Sequence, residues 1–337
     1  MKKTLLLVAA AVALVACSNE ETVHQSAPEA IGFDNAFVEN STRSVETPGY
    51  SKAKLFNDFA VYGFVEGVSL FNGVKVAKDG TVTNADLKEA WKYEGTQYWI
   101  ADANYDFYAV APFDGGWSVK TGTATDAGAT LSFTTAAGTQ DLLYSGIVER
   151  QGAGSGNTAV GFTFKHILSK VKFSFENGYN ASAATIRVKN VQITNAYTTG
   201  DVALAADDNE TADVDESVAW SNWATPGAFS FGNAAVASDN ADEAYEYGKT
   251  KESYYERLLI PAKAEWNITF VVDLLVNGEV IKSYNHTAKA TIDLKPGMSY
   301  NINTEITAAN IDPEYAQEPI EFTATMIDWS DAEVVTK

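Results

Sequence analysis

From residue 31 onward the apolar positions recur mainly with a period of two, in short runs bounded by Gly, Asn, Asp and Pro. That is the pattern of half-buried antiparallel strands. The alternation predicts strands at Phe59 to Val65, Tyr105 to Ala111, Leu142 to Val148, Ile167 to Phe175, Ile186 to Ile193, Ile268 to Leu275 and Val280 to Thr287. The last two are separated by Asn277-Gly278, a pair that readily adopts the positive φ angles of a type I′ turn, so they should form a hairpin. Helical spacing is arguable only over Ala85 to Tyr93. Short strands with turn signals at this frequency favour an all-β fold of antiparallel sandwiches over an α/β fold.

Apolar periodicity lapses over Gln151 to Asn157, a Gly-rich stretch with strands on both sides, and a domain junction is expected there. Segments 203–216 and 230–241, rich in Ala, Gly, Asn and Asp, read as long surface loops. The 337 residues suffice for about two domains. The expected division is a leader over 1–16, a propeptide and linker over 17–43, an N-terminal sandwich over 44–157 and a C-terminal sandwich over 158–337.

The N-terminus departs from this pattern. Lys2 and Lys3 precede a continuous apolar run from Leu5 to Ala16, too short for a stable membrane span and suited to the core of a secretory signal. Leu14-Val-Ala16 then leads into Cys17, which resembles the site at which bacterial lipoprotein precursors are cut and the cysteine is lipidated, for example with palmitate. The acidic stretch Ser18-Asn-Glu-Glu21 resembles an export signal of surface lipoproteins, and attachment to the outer membrane would come from the lipid alone.

With 24 basic against 44 acidic side chains the net charge is −20, or −22 once Lys2 and Lys3 leave with residues 1–16. Such a chain is repelled by phosphate backbones, so nucleic acid is not an expected partner. Cys17 is the sole cysteine, which leaves no internal disulfide.

Two distant stretches share one pattern. Ile31-Gly-Phe33-Asp-Asn-Ala-Phe37-Val38 and Ile320-Glu-Phe322-Thr-Ala324-Thr-Met326-Ile327 both read Ile-x-Phe-x-x-x-(Phe or Met)-(Val or Ile). As strands each presents Ile, Phe and Phe or Met for burial, so one groove could accept either. A polar stretch with Arg43-Ser44 follows the first, where an arginine-specific protease would release it. As ordinary edge strands the two would show the same pattern, since Ile-x-Phe is frequent in strands.

Enzymatic chemistry has little support. His24, His166 and His286 are the only histidines, and none sits in a nucleophile, metal or phosphate motif. His166 reads as a hydrogen-bonded structural residue. Gly152 to Gly156 lacks phosphate-loop spacing, and Asp207, Asn209, Thr211 and Asp213 alternate as in a calcium loop whose glycine position is Ala212 and whose closing position is Val218. No catalytic residue, metal site or cofactor is therefore assigned. Trp91, Tyr93, Tyr98, Trp99, Trp220 and Trp223 could stack on sugars if exposed together, which keeps a surface glycan-binding lipoprotein as an alternative.

Taken in order, several motifs resemble the fimbrillin family, the lipoprotein precursors of donor-strand (type V) pili. They are the segment ending at Cys17, Thr42-Arg43, Tyr98-Trp99, Tyr105-Asp-Phe-Tyr-Ala-Val-Ala-Pro112 and Asp141-Leu-Leu-Tyr144. Phe164-Lys-His166-Ile-Leu-Ser-Lys-Val-Lys-Phe173, Leu259-Ile-Pro261-Ala, Pro296-Gly-Met-Ser-Tyr300-Asn-Ile-Asn303 and Trp329 follow. The resemblance implies two transthyretin-like sandwiches and a lipoprotein precursor that travels to the cell surface and then into a fimbrium acting in cell adhesion. Cleavage between Arg43 and Ser44 would remove the strand bearing Ile31, Phe33 and Phe37. The C-terminal strand of another pilin subunit, of the same or another kind, would fill the groove with the equivalents of Ile320, Phe322, Ala324 and Met326. Only a short tail, 328–337, follows the donor segment, so a tip or anchor component that does not polymerise is the second alternative, and a host or bacterial surface ligand would be its partner.

Overall fold

In the computed structural model of the protein, the structure describes residues 28–38, 57–78, 91–180, 183–205, 218–238 and 256–329. Every regular element among them is a strand. The first sheet contains β1 (Phe33–Val38), β2 (Asp58–Val65), β3 (Val68–Lys78), β4 (Trp91–Tyr93), β5 (Asn104–Ala111), β8 (Leu143–Tyr144), β9 (Val148–Gln151) and β10 (Val160–His166). Its order is β1-β10-β8-β5-β2-β3-β4, with β9 also on β5. The second sheet contains β6 (Trp117–Val119), β7 (Gly128–Thr134), β11 (Ser169–Asn177), β12 (Thr185–Ala205), β13 (Val218–Ser238), β14 (Arg257–Leu259), β15 (Lys263–Val276), β16 (Glu279–Asp293), β17 (Met298–Ile306) and β18 (Thr323–Asp328). Its main order is β16-β15-β12-β13-β11-β17-β18, with β14 on β11, β7 on β12 and β6 on β7.

The expected strands are present, and their alternation matches their burial. In β10 the even positions Val160, Phe162, Phe164 and His166 are buried while the odd ones are half-exposed. Asn277 and Gly278 take φ values of 53° and 81° and join β15 to β16 by a two-residue turn, as the Asn-Gly pair predicts. Most pairings are antiparallel, but β1 runs parallel to β10, and β11 runs parallel to both β13 and β17. Period-two alternation is the same in either direction, so it carries no information on this point.

Four expectations need correction. Ser230 to Ser238, read as loop, is the end of β13, and Phe231, Ala234 and Val236 face the core. Its small residues fit where β13 passes from pairing with β12 to pairing with β11. Ala203 to Ala205, also read as loop, ends β12 against β7. The helical spacing of 85–93 ends in a strand, since Trp91–Tyr93 pairs with Val76 to Lys78 and Trp91 packs on Phe59; residues 85–90 lie outside the described residues. Leu142 to Val148 forms two short strands, broken at Gly146 with φ 69°.

Three cores result. One lies within the first sheet around Phe59, Phe107 and Phe162, and one within the second around Phe175, Trp266 and Phe270. The third lies between, where Tyr62, Tyr108 and Tyr144 of the first sheet meet Leu131 and Phe133 of β7 and Val202 and Leu204 of β12. Residues 128–134 therefore pair with a strand from beyond the Gly-rich stretch, although they precede it in the chain, and β6 joins them at its own pairing with β7.

The β7 to β12 junction supplies a test. Gly128 has φ 120°, and a Cβ there would run into the Leu204 carbonyl oxygen. Gly128→Ala should cost the protein about 1–3 kcal/mol, read by denaturant unfolding, because both the backbone region and the space are closed to a side chain.

Candidate functional site

The two matching stretches occupy edge positions, β1 at one end of the first sheet and β18 at one end of the second. Their surroundings differ. The first sheet rolls so far that β1 also meets β4, which ends the strand order on the opposite side. The Phe33 ring lies 5.4 Å from Tyr93 of β4 and from Phe71 of β3, 5.8 Å from Phe162 of β10 and 6.2 Å from Phe107 of β5. Ile31 is 1% and Phe33 4% exposed.

Backbone groups on both sides hold this segment. The Ile31 N–H donates to the Gln97 carbonyl at 2.8 Å, and the Trp99 N–H to the Glu29 carbonyl at 2.9 Å. The Tyr93 hydroxyl donates to the Ile31 carbonyl at 2.8 Å. On the other side the Val160 N–H donates to the Gly32 carbonyl at 2.8 Å, and Phe33, Asp34, Phe37 and Val38 register with Val160, Gly161, Thr163 and Phe164 across a bulge. Segment 29–38 is thus a stave in the seam of a rolled sheet, where it buries apolar surface and pairs main-chain groups together.

A polar clasp closes its start. The Glu29 carboxylate accepts from the main-chain N–H of Asn157 at 2.7 Å and from its side-chain amide at 2.9 Å. These donors, the main-chain one foremost, hold the Glu29 carboxyl below its ordinary value of 4.5. Asn157 ends the Gly-rich stretch, and neither it nor Glu29 stands out in the sequence.

β18 pairs antiparallel with β17, with Ala324 opposite Ile302 and Met326 opposite Tyr300. Opposed residues point to the same face, so Phe322, Ala324 and Met326 share the core side of β17. Phe322 reaches the core, with ring centroids 5.9 to 6.1 Å from Phe173, Phe175 and Phe270, and Ile320 is half-buried beside it. Ala324 is exposed, and Met326 is 51% exposed, although Tyr300 and Ile302 beside them are buried. The strand overhangs the edge of its core with half of its apolar face in solvent.

The other singled-out residues are placed as follows. His166 Nδ1 lies 2.7 Å from the Asp141 carboxylate within a buried setting. Trp91 and Trp99 are buried in the first core, and the Trp220 indole donates to the Ile167 carbonyl. Tyr98 and Trp223 are exposed. Among the described residues no group of His, Cys, Asp or Glu is arranged to hold a metal ion, and no helix is long and apolar enough to cross a membrane. Cys17, Arg43, Ser44, His24 and the calcium-like spacing at Asp207 to Asp213 lie outside the described residues.

Two outcomes follow for the stave. Phe33→Ala in the full chain should lower stability by about 3–5 kcal/mol in denaturant unfolding, the cost of emptying a closed aromatic site. A carboxyl with a depressed value stabilises above its unfolded value and loses that contribution as pH falls through the depressed one. After a cut between Arg43 and Ser44, segment 28–38 should therefore leave the body faster at about pH 3.5 than at about pH 7, and Glu29→Gln should flatten that difference, both read as dissociation rates of the cut segment.

Comparison with known proteins adds the family. A model described as fimbrillin-like matches residues 42–329. A fimbrial protein from Bacteroides vulgatus has a similar structure, with TM-score 0.59 at 15% identity over 89% of this chain and 99% of that one. A candidate cell adhesion protein from Bacteroides uniformis gives 0.48 at 16% identity over 89% and 98%, and a candidate polysaccharide-binding protein from Bacteroides thetaiotaomicron 0.42 at 10% over 90% and 99%. None of the curated proteins matches the chain. The first of these likenesses bears on the fold alone, whereas the family match spans most of the sequence: the chain belongs to the fimbrillin-like family.

Proposed function

We propose that this protein is a structural subunit of surface fimbriae acting in cell adhesion. It is exported as a lipoprotein through Cys17, cut after Arg43 by an arginine-specific protease and polymerised by donor-strand exchange with further pilin subunits. Its two tandem sandwiches are transthyretin-like. Before the cut the precursor is held at the cell surface by its lipid in the outer membrane, and after it the body passes into the fimbrium.

The observation that carries this reading is the unequal burial of two matching strands. The first buries Ile31 and Phe33 in a seam that the chain could open by one cut. At the matching positions of the last strand Ile320 and Phe322 are only half-buried, and Ala324 and Met326 beyond them are exposed. Each large apolar side chain moved from water into a closed pocket contributes about 1.5–3 kcal/mol, so a vacated seam favours an incoming strand of this pattern. Both strands are at sheet edges and could leave without splitting another pair. Family membership supports the same reading.

Trimming the protein between Arg43 and Ser44 should convert a monomer into ladders that resist SDS, and deleting 320–337 should abolish them. A trimmed protein that stays monomeric with its C-terminus intact would sink the polymerising role.

A further inference from the structure

The end of the last strand is held by a contact that the donor pattern does not require. Every side chain from Thr323 to Ile327 is exposed, yet Trp329, two residues on, is only 7% exposed. Its ring is stacked on that of His166, with centroids 3.7 Å apart and planes 11° apart, and the Lys170 amine lies 5.2 Å from the ring centroid. The Trp329 main-chain N–H donates to the Gly297 carbonyl at 3.0 Å, and the Gly297 N–H donates to the Leu168 carbonyl at 2.9 Å. His166 is itself held by Asp141. Trp329 therefore belongs to the core between the two sheets, at the turn from β10 to β11, and not to the core on which Phe322 rests.

The strand is thus pinned by one aromatic at each end, with little apolar burial between them. The two pins differ in what release would cost. Phe322 is part of the repeated pattern and has a counterpart in Phe33, so a strand moved into the first-sheet seam regains its burial. Carrying the alignment of Ile31 with Ile320 forward places Trp329 opposite Asn40, a polar residue. Nothing in the matched pattern restores the burial of Trp329, and its unseating is a cost specific to opening.

We propose that Trp329 is a latch that keeps the C-terminal strand closed on its own subunit, with the ring of His166 as its seat, and that this self-contact restrains donation until the strand is drawn away. The inference rests on the donor-strand reading for its purpose, but the latch itself is a property of the untrimmed monomer.

The test is hydrogen exchange on the untrimmed full chain, where the first strand is in place and no groove is open. In Trp329→Ala the amides of Thr323 to Asp328 should exchange at least about tenfold faster while those of β2 and β5 keep their protection. His166→Ala, which removes the seat from the other side, should loosen the same amides, and Trp329→Phe should restore most of the protection. Unchanged exchange in β18, or a rise spread evenly over the whole protein, would overturn the latch. The second arm uses the trimmed proteins: Trp329→Ala should lengthen ladders faster than the unsubstituted chain, and equal or slower growth in a protein that does polymerise also overturns it. Local loosening of β18 in a trimmed protein that never polymerises leaves the latch standing and removes the donor-strand reading instead.

Discussion

A sheet rolled until its ends nearly meet leaves an apolar interior and rows of main-chain groups open along one seam, and segment 29–38 fills that seam. Phe33 touches rings from β3, β4, β5 and β10 at once, so one side chain joins strands that are far apart in the hydrogen-bond order. The same segment satisfies backbone groups at Gln97, Trp99 and Val160. Burial and backbone pairing are lost together when it leaves, which makes an empty seam far more costly than the loss of an ordinary edge strand.

Two long strands tie the first sheet to the second. β12 and β13 each run for 21 residues and serve two cores, pairing with each other along most of their length. The stretch Thr199 to Ala205 of β12, with β7, covers the outer face of the first sheet, while the stretch from Thr185 to Ile193 pairs with β15 over the second core. Asp201 sits at this crossing, where the ammonium of Lys120, the Ser132 hydroxyl and the Asn222 amide surround its carboxylate. The Lys120 hydrogen bond is the strongest of the influences that pull it down to about 2. The shared core ends at the seat of Trp329, so the end of the last strand packs between the sheets.

The two terminal strands illustrate how one sequence pattern serves opposite conditions. Ile31 and Phe33 at the start of the pattern are enclosed by their surroundings. At the other end the same alternation projects past the margin of the core, because β17 supplies a ladder and little beyond Phe322 supplies a pocket. A strand held by its backbone and by aromatics at its two ends separates more readily than one packed along its length.

Much of this was legible in the alternation of apolar residues. The all-β class, most strand positions, the β15 to β16 hairpin and the match between the terminal strands follow from side-chain period and turn chemistry, which are local and act before any tertiary contact forms. The end of β13 was not legible, because its Ala, Gly and Asn residues look like a loop until β11 lies beside them. Nor was the parallel pairing of β1, since a strand alternates in the same way whichever direction its neighbour runs. The Glu29 to Asn157 clasp and the stacking of Trp329 on His166 join residues 128 and 163 positions apart. By itself the sequence determined where most of the strands lie and that two of them share one pattern. Only the folding of distant strands against each other decided that one fills a sealed seam and the other lies half in solvent, because burial is a property of neighbours that a linear pattern does not name.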